Sequence, residues 1–381
     1  MPKKLLLSIY FFILSAAFIS GCGIIKKADE SKESKIGVIL SLSGENSDYG
    51  KSSKMALDLL KEENSEKSSS DDAKIQFIYE DDESTSEAAL TSVRKLIDED
   101  KIDALIISSS SSVCLTAASL AEEKKIPVLV SFATNSRIAS LGSYIFRICY
   151  DDVFQGNVIA KFAFSDLKAK KAAVIFDDED EYSKTLSDSF RKSFEKAGGI
   201  VVSSEIFSKE EQDFTSITDD IKLKNADVIV IPAYYESADK ILKALKKSSI
   251  KTTVVGGDGW DSEKILKTAG NYDGDIYFTD HFSNGDSSPE AVKFKSSFNA
   301  KYQKDPDSFA ALSYDSGKIM IDAIMSSKTD KSYDIKKALS KTESNGVTGE
   351  IKFDDSGEII KKAVIIKIKN GKKVYVKDIY P

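Results

Sequence analysis

The sequence reads as an α/β protein of two doubly wound lobes, each on a parallel-rich sheet, joined where the chain crosses between them three times. Three observations carry this expectation. From Lys35 onward, short β-branched runs alternate with amphipathic segments of helical spacing, the pattern of βαβ units in parallel sheets. The alternation restarts at Asp151-Asp152 after a first series of strands. And 381 residues with 41% apolar and 30% charged side chains can bury more than one core.

In the first series, strands are expected at 36–40, 75–79, 104–107, 128–130 and 144–148. A helix over 49–63 places Met55, Leu59 and Leu60 on one face. Ser84-Thr85-Ser86-Glu87 has the form of a capping box and starts a helix ending near Ile97; a further helix covers 113–121. The second series comprises a helix over 154–164, a strand at 172–176, and a helix over 186–196 ended by Gly198-Gly199. It continues with strands at 200–202, 227–231, 253–255 and 276–279, and a helix over 237–246. Helices over 288–302 and 310–326 then return to the first lobe, and from Lys352 alternating strands turn at Asn370-Gly371. Crossings therefore fall near 148–152, 280 and 342–349. Lobe 1 is expected to comprise 35–149 plus 281–345, and lobe 2 150–280 plus 346–381.

Ahead of these lobes, Lys3 and Lys4, an apolar run over 5–19 and Ile19-Ser20-Gly21-Cys22 have the form of a secretory signal with a lipobox-like end. The apolar run is short for a permanent span. Residues 1–21 are thus expected to be removed, Cys22 acylated, and 22–34 left as a lipidated tether. The protein would be exported and held at the outer face of the cytoplasmic membrane, or in the periplasm or outer membrane of a two-membrane cell. The formal net charge is −7, and it becomes more negative once the two signal lysines leave. Nucleic acid is therefore excluded as a partner, since phosphate contacts need a basic face. Acidic runs at 80–83 and 177–181 are solvated loops. Cys114 and Cys149 are expected as buried free thiols.

The chemistry concentrates in residues 103–137, which hold two strand-to-helix turns. Ser108 to Ser112 lie where a buried strand gives way to a helix N-terminus, whose unpaired amides and dipole suit an anion. Ala133-Thr134-Asn135 follows the next strand at the corresponding position. The two turns read either as halves of one carboxylate site or, for the serines, as caps and a polar loop.

Strings along the chain resemble the type 1 periplasmic binding proteins, particularly the leucine/isoleucine/valine-binding branch that serves ABC transporters. They include Ile36-Gly37-Val38 with Leu42-Ser43-Gly44 and Tyr49-Gly50, the serine run, Ile126-Pro127 with Ala133-Thr134, and Phe146-Arg147 with Gln155-Gly156. Further on come Glu181-Tyr182, Ala197-Gly198-Gly199, Gly256-Gly257-Asp258-Gly259-Trp260, and Gly349 with Phe353-Asp354 and Gly357. The resemblance implies two Rossmann-like lobes on a three-stranded hinge, closing like a flytrap on a small solute. It implies a carboxylate seat at Ser111, with Ser110 and Ser112 as alternatives, and at Thr134 and the backbone of Ala133. It implies that the Phe132 carbonyl and Asp258 meet the ligand's ammonium. Tyr49, Tyr182 and Tyr234 or Tyr235 would wall the side-chain pocket, and Asp151 matches an acid near the first crossing. An amino acid or related small carboxylate is the implied ligand, an ABC permease the implied partner, a monomer the expected state, and no cofactor or metal is needed.

Three departures bear on the ligand. Ser131-Phe132 replaces the family's proline and small residue, Ser183 follows Tyr182 where glycine is common, and Asp258 stands where branched-chain binders carry glutamate. A sensor or an amide or urea binder of the same fold is an alternative. An exported hydrolase is disfavoured: the sequence has no Gly-x-Ser-x-Gly, and its single histidine, His281, falls at a crossing. Ser189 to Lys192 and Ser193 to Lys196 fit Ser-x-x-Lys but read as a helix face. Trp260 is read as core or pocket edge.

Overall fold

Five apolar segments, β1 (Ser34–Leu40), β2 (Ile75–Asp81), β3 (Ala104–Ser108), β4 (Val128–Val130) and β5 (Ile145–Arg147), pair in parallel in the order β2-β1-β3-β4-β5. β3 and β4 are buried throughout, which accounts for their continuous apolar character. The computed structural model describes residues 33–67, 74–327 and 332–381; the expected signal segment and Cys22 lie outside them. Helices α1 (Ser47–Lys67), α2 (Ser86–Asp98) and α3 (Ser111–Glu123) form the crossovers. Thr85 is the residue that caps α2, accepting from the Ala88 amide.

β6 (Lys171–Phe176), β7 (Ile200–Ile206), β8 (Val228–Ile231), β9 (Thr253–Gly256) and β10 (Ile276–Asp280) form a second parallel set in the order β7-β6-β8-β9-β10. β13 (Ala363–Lys369) and β14 (Lys372–Ile379) extend it antiparallel. Both sheets thus repeat one winding order, and in each the winding direction reverses beside its first strand, which opens a crevice beyond the strand C-terminal ends. Helices α4 (Asp152–Lys161), α5 (Glu181–Lys196), α6 (Thr215–Lys224), α7 (Tyr235–Lys247) and α8 (Glu263–Ala269) accompany this sheet. The helix expected over 154–164 is α4 followed by a π turn, Phe162–Asp166.

After β10 come α9 (Pro289–Tyr302), α10 (Ser308–Ser326) and α11 (Ser332–Leu339). α10 packs on α1, and its Ser313 and Ser316 hydroxyls bond Ser108 and Ser131 at the ends of the first sheet, at 3.1 and 2.9 Å.

The third crossing lies further along than 342–349. There the chain doubles back as a hairpin, β11 (Glu343–Gly346) with β12 (Gly349–Lys352). Asp315 of α10 grips its turn, accepting from the Val347 and Thr348 amides at 2.7 and 2.9 Å and from the Thr348 hydroxyl at 2.7 Å. The following strap runs beside β5, with Phe353 against Phe146 and the Arg147 amide donating to the Gly357 carbonyl. The second sheet takes up the chain only at Ala363. Gly357 has φ +81°, and a side chain there would run into the Ile145 carbonyl oxygen.

Candidate ligand-binding site

The strand ends sort the serine run into different tasks. Ser108 and Ser109 are buried in a hydroxyl network with Ser131 (2.7 Å) and Ser41 (3.0 Å) that fixes the strand ends. Ser110 is the N-cap of α3, but its side chain makes no capping bond. Ser111 joins the two turns, its hydroxyl accepting from the Asn135 amide at 3.2 Å. Ser112 reaches Asp180 at 3.4 Å, and Ser110 and Ser112 line a cavity of about 240 Å³. Phe132, Ala133 and Thr134 are buried in the second turn.

Tyrosines from both sides meet these turns. The Ser111 amide donates to the Tyr234 hydroxyl at 3.1 Å, and the Tyr235 amide donates to the Tyr49 hydroxyl at 3.3 Å. Tyr49 itself donates to the Gly259 carbonyl at 2.6 Å. Tyr182, in the first turn of α5, stacks on Tyr234 with centroids 4.7 Å apart. Burial raises the pKa of Tyr49, Tyr182 and Tyr234, so all three stay neutral. Further bonds hold the lobes shut: the Asn135 amide group donates to the Glu181 carbonyl and the Thr185 hydroxyl, both at 3.0 Å. Arg137 pairs with Glu181 at 3.2 Å and Lys209 with Glu45 at 2.9 Å.

Asp258 lies in a 3₁₀ turn, Asp258–Trp260, at the end of β9. The sequence expectation puts it in the cleft as an ammonium acceptor; it is already held by three protein donors. Gln155 and Tyr182 donate to Oδ1 at 2.7 and 2.9 Å, and His281 lies 3.0 Å from Oδ2. A carboxylate has about four acceptor sites, so one remains. Gly257 permits this approach, since a side chain there would strike the Tyr182 hydroxyl. Burial lowers the His281 pKa, with Asp258 opposing. The neutral ring then donates from Nε2, and its Nδ1 has no partner among the described residues. Tyr150 stacks on this ring at 3.8 Å.

Of the two acids at the first crossing, Asp152 and not Asp151 is the one fully buried. Asp151 is the N-cap of α4, accepting from the Phe154 amide at 2.7 Å. Asp152 is 0% exposed, and neither carboxylate oxygen makes a hydrogen bond among the described residues. Burial pushes its pKa well above the aspartate range; the Thr134 hydroxyl opposes this from beyond hydrogen-bonding geometry, and Asp258 adds to it. Its amide donates to the Thr134 carbonyl at 2.8 Å, so the orphaned acid sits at the second turn. Such a group favours a cation beside it.

Asp152, Gln155 and His281 escaped the sequence reading, as did Arg147. The guanidinium of Arg147, 1% exposed, makes paired bonds to Glu358 at 3.0 and 2.6 Å and donates to the Asn135 carbonyl at 2.8 Å. It ties the second turn to the hinge strap. The available signal was position: His281 follows β10 directly, at the strand end where such sheets bind ligands. Trp260 is fully buried, and Cys114 and Cys149 are buried free thiols. Among the described residues, no group of three or more His, Cys, Asp or Glu side chains is placed to hold a metal ion.

Two α/β lobes that meet at their strand ends, with the Ser111 amide on one and the buried Asp152 and Asp258 on the other, define a ligand-trapping protein of the bilobal kind. The periplasmic binding protein family matches residues 33–373, and the chain belongs to it. A leucine-binding protein LivK from Thermotoga maritima superposes with a TM-score of 0.86 at 30% identity, over 91% of this chain and 99% of that one. The branched-chain amino acid transporter substrate-binding protein LivJ from Streptococcus pneumoniae, solved with isoleucine, gives 0.86 at 29% identity over 92% and 100%. An amino acid binding protein of Pseudomonas aeruginosa is 28% identical over 198 residues, 52% of this chain. The chain spans about half the length of that curated relative, 53%.

Proposed function

We propose that this protein captures an amino acid zwitterion between its two lobes outside the cytoplasm and delivers it to an ABC permease. The carrying observation is the buried carboxylate of Asp152, which makes no hydrogen bond among the described residues and whose own amide bonds the Thr134 carbonyl, in the turn that Ser111 at the α3 N-terminus also bonds. The ligand carboxylate takes amide and hydroxyl donors of Ser111 and Thr134. Its ammonium takes Asp152, the remaining acceptor site of Asp258, and the Phe132 carbonyl. Because the donors and Asp258 lie on different sheets, the full set forms only on closure, which is the differential affinity that hinge closure requires. The amino acid ligands of the similar proteins from P. aeruginosa, T. maritima and S. pneumoniae support the same reading.

The mature chain is a monomer tethered through acylated Cys22. A thermal-shift panel of amino acids and short carboxylates tests the ligand: saturation at 100 times Kd adds about 2.7 kcal/mol of stability. No stabilisation by any amino acid would contradict it. Cys22→Ser should move the protein from the membrane to the soluble fraction, and unchanged partitioning would remove the anchor.

A further inference from the structure

A side chain carried by a zwitterion in this site must fit among aromatic rings that already touch. Tyr49 stacks on Phe309 with centroids 4.0 Å apart, and the edge of Phe132 meets Phe309 at 4.8 Å and Tyr49 at 6.0 Å. Tyr235 meets Tyr49 at 5.1 Å. These are contact separations, with no room for a branched alkyl group between rings. All four side chains are buried.

The rings are also tethered. Tyr49 is bonded to Gly259 and to the Tyr235 amide. Phe132 stands two residues before Thr134, in a turn pinned by the Ser111–Asn135 bond and by Arg147 on the Asn135 carbonyl. Its backbone cannot retreat without moving the carboxylate seat, its ring is packed against Phe309 and Tyr49, and a packed core resists added methylenes. The neighbouring cavity of about 240 Å³ is a mixed environment, with Ser110, Ser112, Asp180 and Lys209 beside the apolar Val113 and Phe207. A branched apolar side chain placed there, among charged and hydroxyl groups, forgoes part of the transfer free energy that makes its burial favourable.

We propose that the site selects amino acids with small side chains, from glycine to serine in size, and that Phe132 is the specificity-determining residue that excludes branched-chain ligands. The proposal rests on the zwitterion reading above and narrows it. Calorimetric titration of the mature protein with glycine, alanine, serine, leucine and isoleucine tests it. The tightest small amino acid should bind at least about tenfold more tightly than leucine. Phe132→Ala should reduce that ratio by about tenfold or more, with Phe132→Leu in between and serving as the second variant should the first not fold. Leucine binding wild type as tightly as alanine, or an unchanged ratio in a folded variant, overturns size selection and leaves the zwitterion reading standing. A folded wild-type protein that binds no amino acid overturns both.

Discussion

The Ser111 amide, the first of helix α3, donates across the cleft to the hydroxyl of Tyr234 at 3.1 Å. The relationship is reciprocal, because the Tyr235 amide, the first of α7, donates to Tyr49 from the other side. Neither helix is capped by its own N-cap side chain. Each lobe therefore meets a helix N-terminus of the other with a neutral phenol. In the proposed complex a ligand carboxylate would compete with Tyr234 for the Ser111 donor as the stronger acceptor, since charge-assisted bonds contribute roughly 1.5–3 kcal/mol against about 1 for neutral ones.

Tyr49→Phe removes the 2.6 Å bond to Gly259 and the acceptor for the Tyr235 amide. Losing two such bonds across the cleft should cost the closed form about 1–2 kcal/mol and weaken ligand binding by roughly tenfold. Small-angle scattering should show a larger ligand-free radius of gyration. An unchanged radius and affinity would mean that closure is held elsewhere.

Asp152→Asn separates stability from function. The buried acid has a raised pKa, so its charge is unfavourable at neutral pH in the free protein. The isosteric amide should raise the melting temperature of the free protein while weakening amino acid binding by at least about tenfold, or 1.4 kcal/mol. A variant that loses stability and keeps its affinity would remove Asp152 from the site.

The same acid makes binding depend on pH. Its folded pKa is above its unfolded value of 3.8, so folding takes up a proton there, and the free protein loses stability as pH rises from 3.8 through the folded value. A bound ammonium lowers that pKa. Binding should thus release protons below the free-state value and tighten as pH rises. Titrations in buffers of different ionisation enthalpy measure the release, and none at any pH above 3.8 would contradict the assignment.

At the hinge, Glu358→Ala leaves the Arg147 guanidinium buried without its carboxylate. Breaking a buried pair costs about 3–5 kcal/mol, and the Glu358 side chain is 22% exposed, so about 2–3 kcal/mol is expected from urea unfolding. Affinity should fall as well, because Arg147 also holds the Asn135 carbonyl. A loss below about 1 kcal/mol would show that the strap is secured by other contacts.

The sequence made the strands of both sheets legible, because parallel strands buried on both faces appear as short β-branched runs. It also located the first turn, since serine before a helical repeat signals an N-terminus; the second expected strand-to-helix turn, 133–135, leads only into a 3₁₀ turn, Ala139–Leu141, and no helix. The helices α6, α8 and α11 were missed, being short and mostly polar, with few buried positions each. The heart of the site was hidden for another reason. Gln155 and Asp258 are 103 residues apart in sequence, and Arg147 and Glu358 are 211 apart. No local pattern encodes such pairs. Nor could spacing show that Asp151 caps a helix while the carboxylate of Asp152, its neighbour, is buried with no hydrogen bond among the described residues.

The most direct measurement is a calorimetric comparison of the tightest-binding amino acid with the same molecule lacking its amino group. The des-amino carboxylate keeps the donors at Ser111 and Thr134 but leaves Asp152 unpaired. It should bind at least about 100-fold more weakly, close to 2.7 kcal/mol. Equal affinity for the two would contradict recognition of a zwitterion between amide donors and a buried acid.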